Sequence, residues 1–562
     1  MKRSMFMRLF LAVIFALAVS SVIFAAEAPK YEANITQPTI SGTLKGFEKD
    51  GVFHWFGVSY AKPPVGALRW KAPAPVEPWD GIQDATESLA ATQTAYGDEN
   101  GSLTLDIYRP ANDKTGLPVF FYIHGGNNQT GRSSALPATE FTKDVGSVVI
   151  SINHRLGLLG FVSLPALRHG TPEENSGNFA MLDFAAALDW VKDNISSFGG
   201  NPNNITISGS SSGGRDVMAM LISPIMKGKF QKAISFSGGM TTSDPEAATK
   251  VDAKHLAPLA VKKGVKANED EAYSWLLTDG DDVREFLYSL SDKELAGAFG
   301  GAAIRMAAFP HHYTDGVVIP KEGYGAKVYN DVPVLMVNGD REFSLFCKGS
   351  APFSKLSNSE LFNDEKLFPL YKFTDKYGSL MYGYFNGEES AAKMIEDYKS
   401  PIYTCLISWG DNPEITSPEY AGIVGAYHCI TTPLMTGITA SFSVGYEDIY
   451  ASQSCKNVSN MLNAYYKNFF YTDNPNGEGL PRWDKWTKEG ITTQLIIDAD
   501  NEKATGVMSE EHTSYEKILD AMDADKSISD EDKALMIRTV LNGRWFSSAL
   551  DERYGNESLW VK

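Results

Sequence analysis

The sequence predicts an α/β fold in which a central, mostly parallel, twisted sheet is flanked by helices and carries helical insertions above it. Two observations point there. The stretches PVFFYIHGG (118–126), SVVISINHR (147–155), NITIS (204–208), FQKAISFSGG (230–239) and DVPVLMVNGD (331–340) are short apolar runs rich in β-branched and aromatic residues, as buried strands are. Between them, residues 178–200 place Met181, Leu182, Ala185, Leu188, Val191 and Ile195 at helical spacing, and SSGGRDVMAMLIS resumes that pattern up to Pro224. Strand alternating with helix implies parallel strands joined by right-handed crossovers.

The remaining elements follow in order. Residues 1–26 combine a basic start (Lys2, Arg3, Arg8), an apolar run from Leu9 to Phe24 and small residues at Ala25 and Ala26, the pattern of a cleavable secretory signal. That run is short for a membrane span. The expected location is therefore secreted or periplasmic, with no membrane attachment after cleavage. GTLKGF, GVFHWFGVSYA and LTLDIYRP read as strands, with a proline-rich loop between the last two. Residues 240–330 read as a mostly helical insertion and 459–470 as a helix. About residues 500–562 form an acidic, mainly helical C-terminal extension. With no repeat and no linker in view, residues 27–562 are taken as a single domain.

Composition excludes some partners. The formal net charge of −18 becomes −21 once the three basic residues of the signal are removed. So acidic a chain has no electrostatic reason to bind nucleic acid or anionic lipid. The four cysteines, Cys347, Cys405, Cys429 and Cys455, are too few for a disulfide scaffold and lack the spacing of a zinc site. No metal or organic cofactor is expected, and oligomeric state is not legible.

The chemistry centres on TISGSSSGGRD (206–216). A serine nucleophile needs a neighbouring base and an exposed position. A sharp strand-to-helix turn exposes it, provided the residues two before and two after are small, hence G-x-S-x-G. Only Ser211 has glycine on both sides, at Gly209 and Gly213. At the start of a helix, the backbone N–H of Ser212 faces developing negative charge. The glycine turn in YIHGGNN offers a second donor pair, the N–H groups of Gly126 and Asn127. On the α/β-hydrolase fold the triad follows the order Ser, acid, His. VPVLMVNGDRE offers Asp340 or Glu342 as the acid. Beyond them lie His428, in the loop GAYHCITTP, and His512, in the polar stretch SEEHTS. His428 is expected to be the base and His512 a solvated surface residue.

Long blocks of the chain resemble the carboxylesterase type B family, the cholinesterase-like esterases of the α/β-hydrolase superfamily. FGVSYAKPPVGALRW, SINHRLGLLGF, the stretch SGNFAMLDFAAALDWVKDNISSFGGNPNNITISGSSSGG, NGDREFSLF and GAYHCITTPLMTG match its blocks in order, over about residues 36–490. The resemblance implies an α/β-hydrolase fold and a carboxylic-ester hydrolase acting on small-molecule esters. It carries the nucleophile to Ser211, the acid to Glu342 rather than Asp340, the base to His428, and the oxyanion hole to Gly126, Asn127 and Ser212. The alternatives are a catalytically impaired, cholinesterase-like binding protein, or an amidase or thioesterase on the same fold. Departures are Ser210 for the motif's glutamate, Ser212 for its alanine, Asn127 for the third oxyanion-loop glycine and Cys429 for the glycine after the base.

Overall fold

The structure, a computed structural model, describes residues 31–88, 103–300, 309–438, 444–490 and 492–556. The signal segment and the whole of the stretch ATQTAYGDENGS (91–102) lie outside the described residues.

An eleven-stranded sheet organises the molecule. From one edge its strands are Ala504–Met508, Leu495–Ala499, Ile402–Ile407, Val334–Gly339, Lys232–Phe236, Gly200–Ser210, Leu117–Ile123, Val148–Ile152, Thr104–Pro110, Val52–Ser59 and Phe47–Lys49. Every pairing from Leu495–Ala499 across to Val148–Ile152 is parallel. The strands at both edges are antiparallel. A sheet covered on both faces buries every side chain of its central strands, which is why those strands read as unbroken apolar runs. The central strand Leu117–Ile123 shows both faces. Phe121 and Ile123 join one hydrophobic core, with Ile150, Ile205 and Ile207. Phe120 and Tyr122 join the other, with Val149, Ile234, Phe236, Leu335 and Val337. This alternation follows from the two-residue period of a strand.

The helix expected at 178–200 spans Phe179–Asn194 and tightens into a 3₁₀ turn at Ile195–Phe198, closed by Gly199 at φ 74°. Among the described residues, 240–330 supply four α-helices, from Pro245–Lys262 to Asp292–Ala298. A long helix at Leu367–Tyr384, continued by a π turn at Phe385–Glu389, has no counterpart in the sequence reading.

The described part of the C-terminal segment is mainly helical and also carries one strand that the sequence reading did not foresee: Ala504–Met508 pairs antiparallel with Leu495–Ala499 and forms one edge of the sheet. Helices at Tyr515–Ala524 and Asp530–Met536 follow. The segment then delivers Trp545 and Phe546 to the buried interior. Among the described residues no helix is long and apolar enough to cross a membrane, and all four cysteines are unpaired thiols.

Candidate active site

The site forms where the parallel strands end at their carboxyl edge. Ser211 sits between the strand Gly200–Ser210 and the helix Ser212–Ile222, with φ 58° and ψ −116°, a strained backbone for a residue with a side chain. The flanking glycines are required by space. A Cβ at Gly209 would lie 2.4 Å from the backbone of Gly213, and one at Gly213 would lie 2.1 Å from the Ile123 carbonyl oxygen. The turn is held because the Ser211 N–H donates to the Phe236 carbonyl at 2.9 Å on the adjacent strand.

The departure at Ser210 is absorbed in the core. Its Oγ accepts from the Tyr122 hydroxyl at 2.9 Å, on the opposite face of the sheet from Ile123.

Glu342 and His428 come together. The His428 Nδ1–H donates to Glu342 Oε2 at 2.5 Å, and both side chains are buried. The other carboxylate oxygen accepts from the Ser237 hydroxyl at 2.5 Å and the Gly339 N–H at 2.8 Å. Ser237 also accepts from the Cys429 N–H at 3.1 Å. Phe236 therefore anchors the Ser211 backbone while its neighbour Ser237 anchors both the acid and the histidine loop. Ser237 is a site residue that sequence reasoning missed, and only its place directly after a strand could have marked it. With Nδ1 bonded to Glu342, His428 Nε2 is buried and has no hydrogen-bond partner.

Burial disfavours the His428 imidazolium, but Cys429, Tyr382 and Glu342 around the ring outweigh it and raise its pKa well above 6.5. Tyr382 stacks on the ring at 5.3 Å and Phe346 leans on it at 4.9 Å. Cys429 adopts φ 65°, where the family's glycine would be unstrained.

The other candidates are placed elsewhere. Asp340 belongs to a separate buried cluster with Arg341, Asp375 and Asp411. Burial and the facing Asp411 carboxylate raise its pKa well above the ordinary value. His512 is half-buried and held by hydrogen bonds rather than fully solvated. Its Nδ1 bonds Glu388 at 2.8 Å and its Nε2 faces the Gly490 carbonyl at 3.0 Å. Glu388 lies 124 residues earlier in the chain, so the polar flanks of His512 gave no sign of it.

The glycine loop at Gly125 and Gly126 packs directly on the strand–helix turn at Ser211. A Cβ at Gly125 would lie 2.9 Å from the Ser210 carbonyl oxygen and 3.0 Å from Ser211 Cβ. Gly126 (φ 121°) and Asn127 (φ 58°) both take positive φ. Asparagine tolerates this region better than most residues. The Asn127 side chain is fixed at both ends. Its Nδ2 donates to Gln129 Oε1 at 2.7 Å, and its Oδ1 accepts from Arg215 Nη2 at 2.8 Å. Ser212 opens the nucleophile helix, where first-turn N–H groups have no intrahelical acceptor.

This geometry can be set beside known proteins. The model of the carboxylesterase family matches residues 30–401. The chain belongs to the carboxylesterase family. A carboxylesterase 1D of Rattus norvegicus is 30% identical over 520 residues, covering 83% of this chain and 89% of that protein. The para-nitrobenzyl esterase of Bacillus subtilis (strain 168) is 39% identical over 238 residues, which is 40% of this chain and 47% of that one. Among solved structures, a Geobacillus stearothermophilus carboxylesterase superposes with a TM-score of 0.65 at 26% identity, over 84% of this chain and 98% of that one. The carboxylesterase fold, an α/β-hydrolase sheet flanked by helices, is therefore the fold of this chain.

Proposed function

We propose that this protein is an exported serine esterase that hydrolyses small-molecule carboxylic esters through an acyl-enzyme on Ser211. The observation that carries this reading is the Glu342–His428 pair at 2.5 Å, with His428 Nε2 unpartnered at the strand ends that hold Ser211. His428 Nε2 takes the Ser211 proton as Oγ bonds to the ester carbonyl carbon. Glu342 fixes the tautomer and offsets the imidazolium charge. The N–H groups of Gly126, Asn127 and Ser212 receive the oxyanion. The imidazolium passes its proton to the departing alcohol as the C–O bond breaks. Water then repeats the sequence, with His428 as its base, and releases the carboxylic acid.

The names of the similar proteins support ester hydrolysis, and the basic, apolar and small-residue pattern of residues 1–26 supports export. Ser211→Ala is expected to lower kcat on a p-nitrophenyl ester by about 10⁴–10⁶-fold, and unchanged turnover would overturn the reading. Peptide mapping of protein exported by a host cell should find a new N-terminus close after Ala25 or Ala26.

A further inference from the structure

Arg215 is the fourth residue after Ser211, one helical turn along the nucleophile helix and on its side of the helix. All eleven residues of that helix are buried, and Arg215 is only 3% exposed. Burying a guanidinium costs several kcal/mol, roughly, unless a carboxylate and a full set of hydrogen bonds compensate. Arg215 lacks both among the described residues. It forms no ion pair within 4.0 Å; Nη2 donates to Asn127, and Nη1 has no partner.

No neighbouring carboxylate meets the guanidinium directly. Asp216, the next residue, offsets its charge from beyond ion-pair distance; its Oδ1 is taken by the Asn128 amide at 2.7 Å and His312 Nε2 at 2.6 Å, and its Oδ2 is buried without a partner. Trp545 lies under the guanidinium at 4.2 Å, an attractive but uncharged contact. The His311 Nδ1–H donates to the Phe309 carbonyl at 3.0 Å, and burial pushes that imidazole well below 6.5, so it is neutral. The Tyr324 hydroxyl, within the field of Arg215, is buried and has no partner. Burial pushes the Arg215 pKa below the usual guanidinium range, against the opposing influence of Tyr382, Asp216 and Tyr324. Two buried donors without partners, Arg215 Nη1 and the Tyr324 hydroxyl, thus interact electrostatically, and Arg215 is also tied to the loop at Asn127.

We infer that Arg215 is a specificity residue that binds a carboxylate carried by the substrate, so that the preferred substrates are carboxylate-bearing esters such as half-esters of short dicarboxylic acids. This rests on the esterase reading above and names its substrate class. A planar guanidinium with a vacant edge suits a carboxylate in a way a lysine ammonium does not. The net charge of −18 repels such substrates at long range, so selection must come from a local, desolvated contact.

The test compares p-nitrophenyl hemiglutarate with its neutral methyl ester, and a carboxyphenyl butyrate with phenyl butyrate, at fixed ionic strength. The first pair puts the charge on the acyl side and the second on the alcohol side. The wild-type protein is expected to prefer the charged member of one pair by at least tenfold in kcat/KM. Arg215→Met should reduce that ratio by about 100-fold, and Arg215→Lys should restore part of it. A wild-type preference for both neutral esters overturns the inference. So does an equal loss on charged and neutral esters in Arg215→Met, which would mean that Arg215 acts only through Asn127. If the variant does not fold, free glutarate serves on the wild-type enzyme. It should inhibit hydrolysis of the neutral ester competitively where chloride of matched ionic strength does not, and no inhibition overturns the inference. Hydrolysis of neutral esters without any charge preference defeats this inference alone, whereas no hydrolysis of any ester defeats the esterase reading with it.

Discussion

Two buried arginines flank the same sheet and are treated in opposite ways. Arg155, after the strand Val148–Ile152, meets the Asp183 carboxylate through Nε and Nη2, the latter at 2.6 Å. Its backbone N–H donates to the same carboxylate at 2.9 Å, and further bonds run to the Lys71 and Phe179 carbonyls. Arg215 has one amide oxygen and one indole face. Both side chains are almost fully buried. The first is a closed structural clamp between the sheet and the helix Phe179–Asn194. The second is a cation without a direct ion pair, one helical turn from Ser211, which we assign to a substrate carboxylate. The difference teaches that burial alone does not assign a charge its role. What matters is whether the protein itself completes its coordination.

The largest effect tests whether Glu342, the proposed partner of His428 in the triad, behaves like the clamp or like the open cation. Glu342→Gln keeps the shape but removes the charge that orients His428. It should lower kcat by about 10⁴-fold with little change in thermal midpoint, as steady-state kinetics and a melting curve would show. A large stability loss with modest kinetic change would place Glu342 with the clamp. Next is Asp183→Asn, which strands Arg155 without its carboxylate. It should cost about 3–5 kcal/mol, read as a lower urea midpoint, with turnover per folded molecule retained. Indifference to this change would erase the contrast between the two arginines. Ser237→Ala is smaller. It removes one of the two further donors to Glu342 and the acceptor for the Cys429 N–H, and should cost about 1–3 kcal/mol in kcat/KM.

The smallest effect is one of pH. His428 must be unprotonated to act, and its pKa is raised well above 6.5. The value of kcat/KM should therefore climb with pH along a limb centred above 6.5, falling tenfold per unit on the acid side. Cys429→Gly removes one of the raising influences and also suits φ 65°. The limb should move to lower pH in that variant, and an unmoved limb would show that Glu342 and Tyr382 alone set it.

The fold was legible in the sequence where local pattern and tertiary environment agree. Central strands buried on both faces are apolar throughout, so Leu117–Ile123, Val148–Ile152 and Val334–Gly339 could be read directly. Ser211 could be read because the tight strand–helix turn excludes any Cβ at positions 209 and 213. Asp340 and Glu342 could not be separated by chain order, because they share one turn. Their fates differ only through partners far away, Asp411 for one and His428 for the other. The same limit explains His512, whose partner Glu388 arrives from the π turn. Ser237 and Trp545 are ordinary residues until the chain folds them against the site. Arg215 was visible in principle, as one of two adjacent charges, with Asp216, in a helix that is apolar from Val217 onward, yet its lack of a direct ion pair is a tertiary fact. The strand Ala504–Met508 was missed because an edge strand with its side chains partly exposed carries no apolar run.

The central claim is that Ser211 is an activated nucleophile, and covalent labelling with a fluorophosphonate followed by peptide mass spectrometry of residues 206–216 tests it most directly. One phosphonyl group on Ser211, lost in His428→Ala, is the predicted result. A label on Ser210 or Ser212, or no label on folded protein, would contradict it.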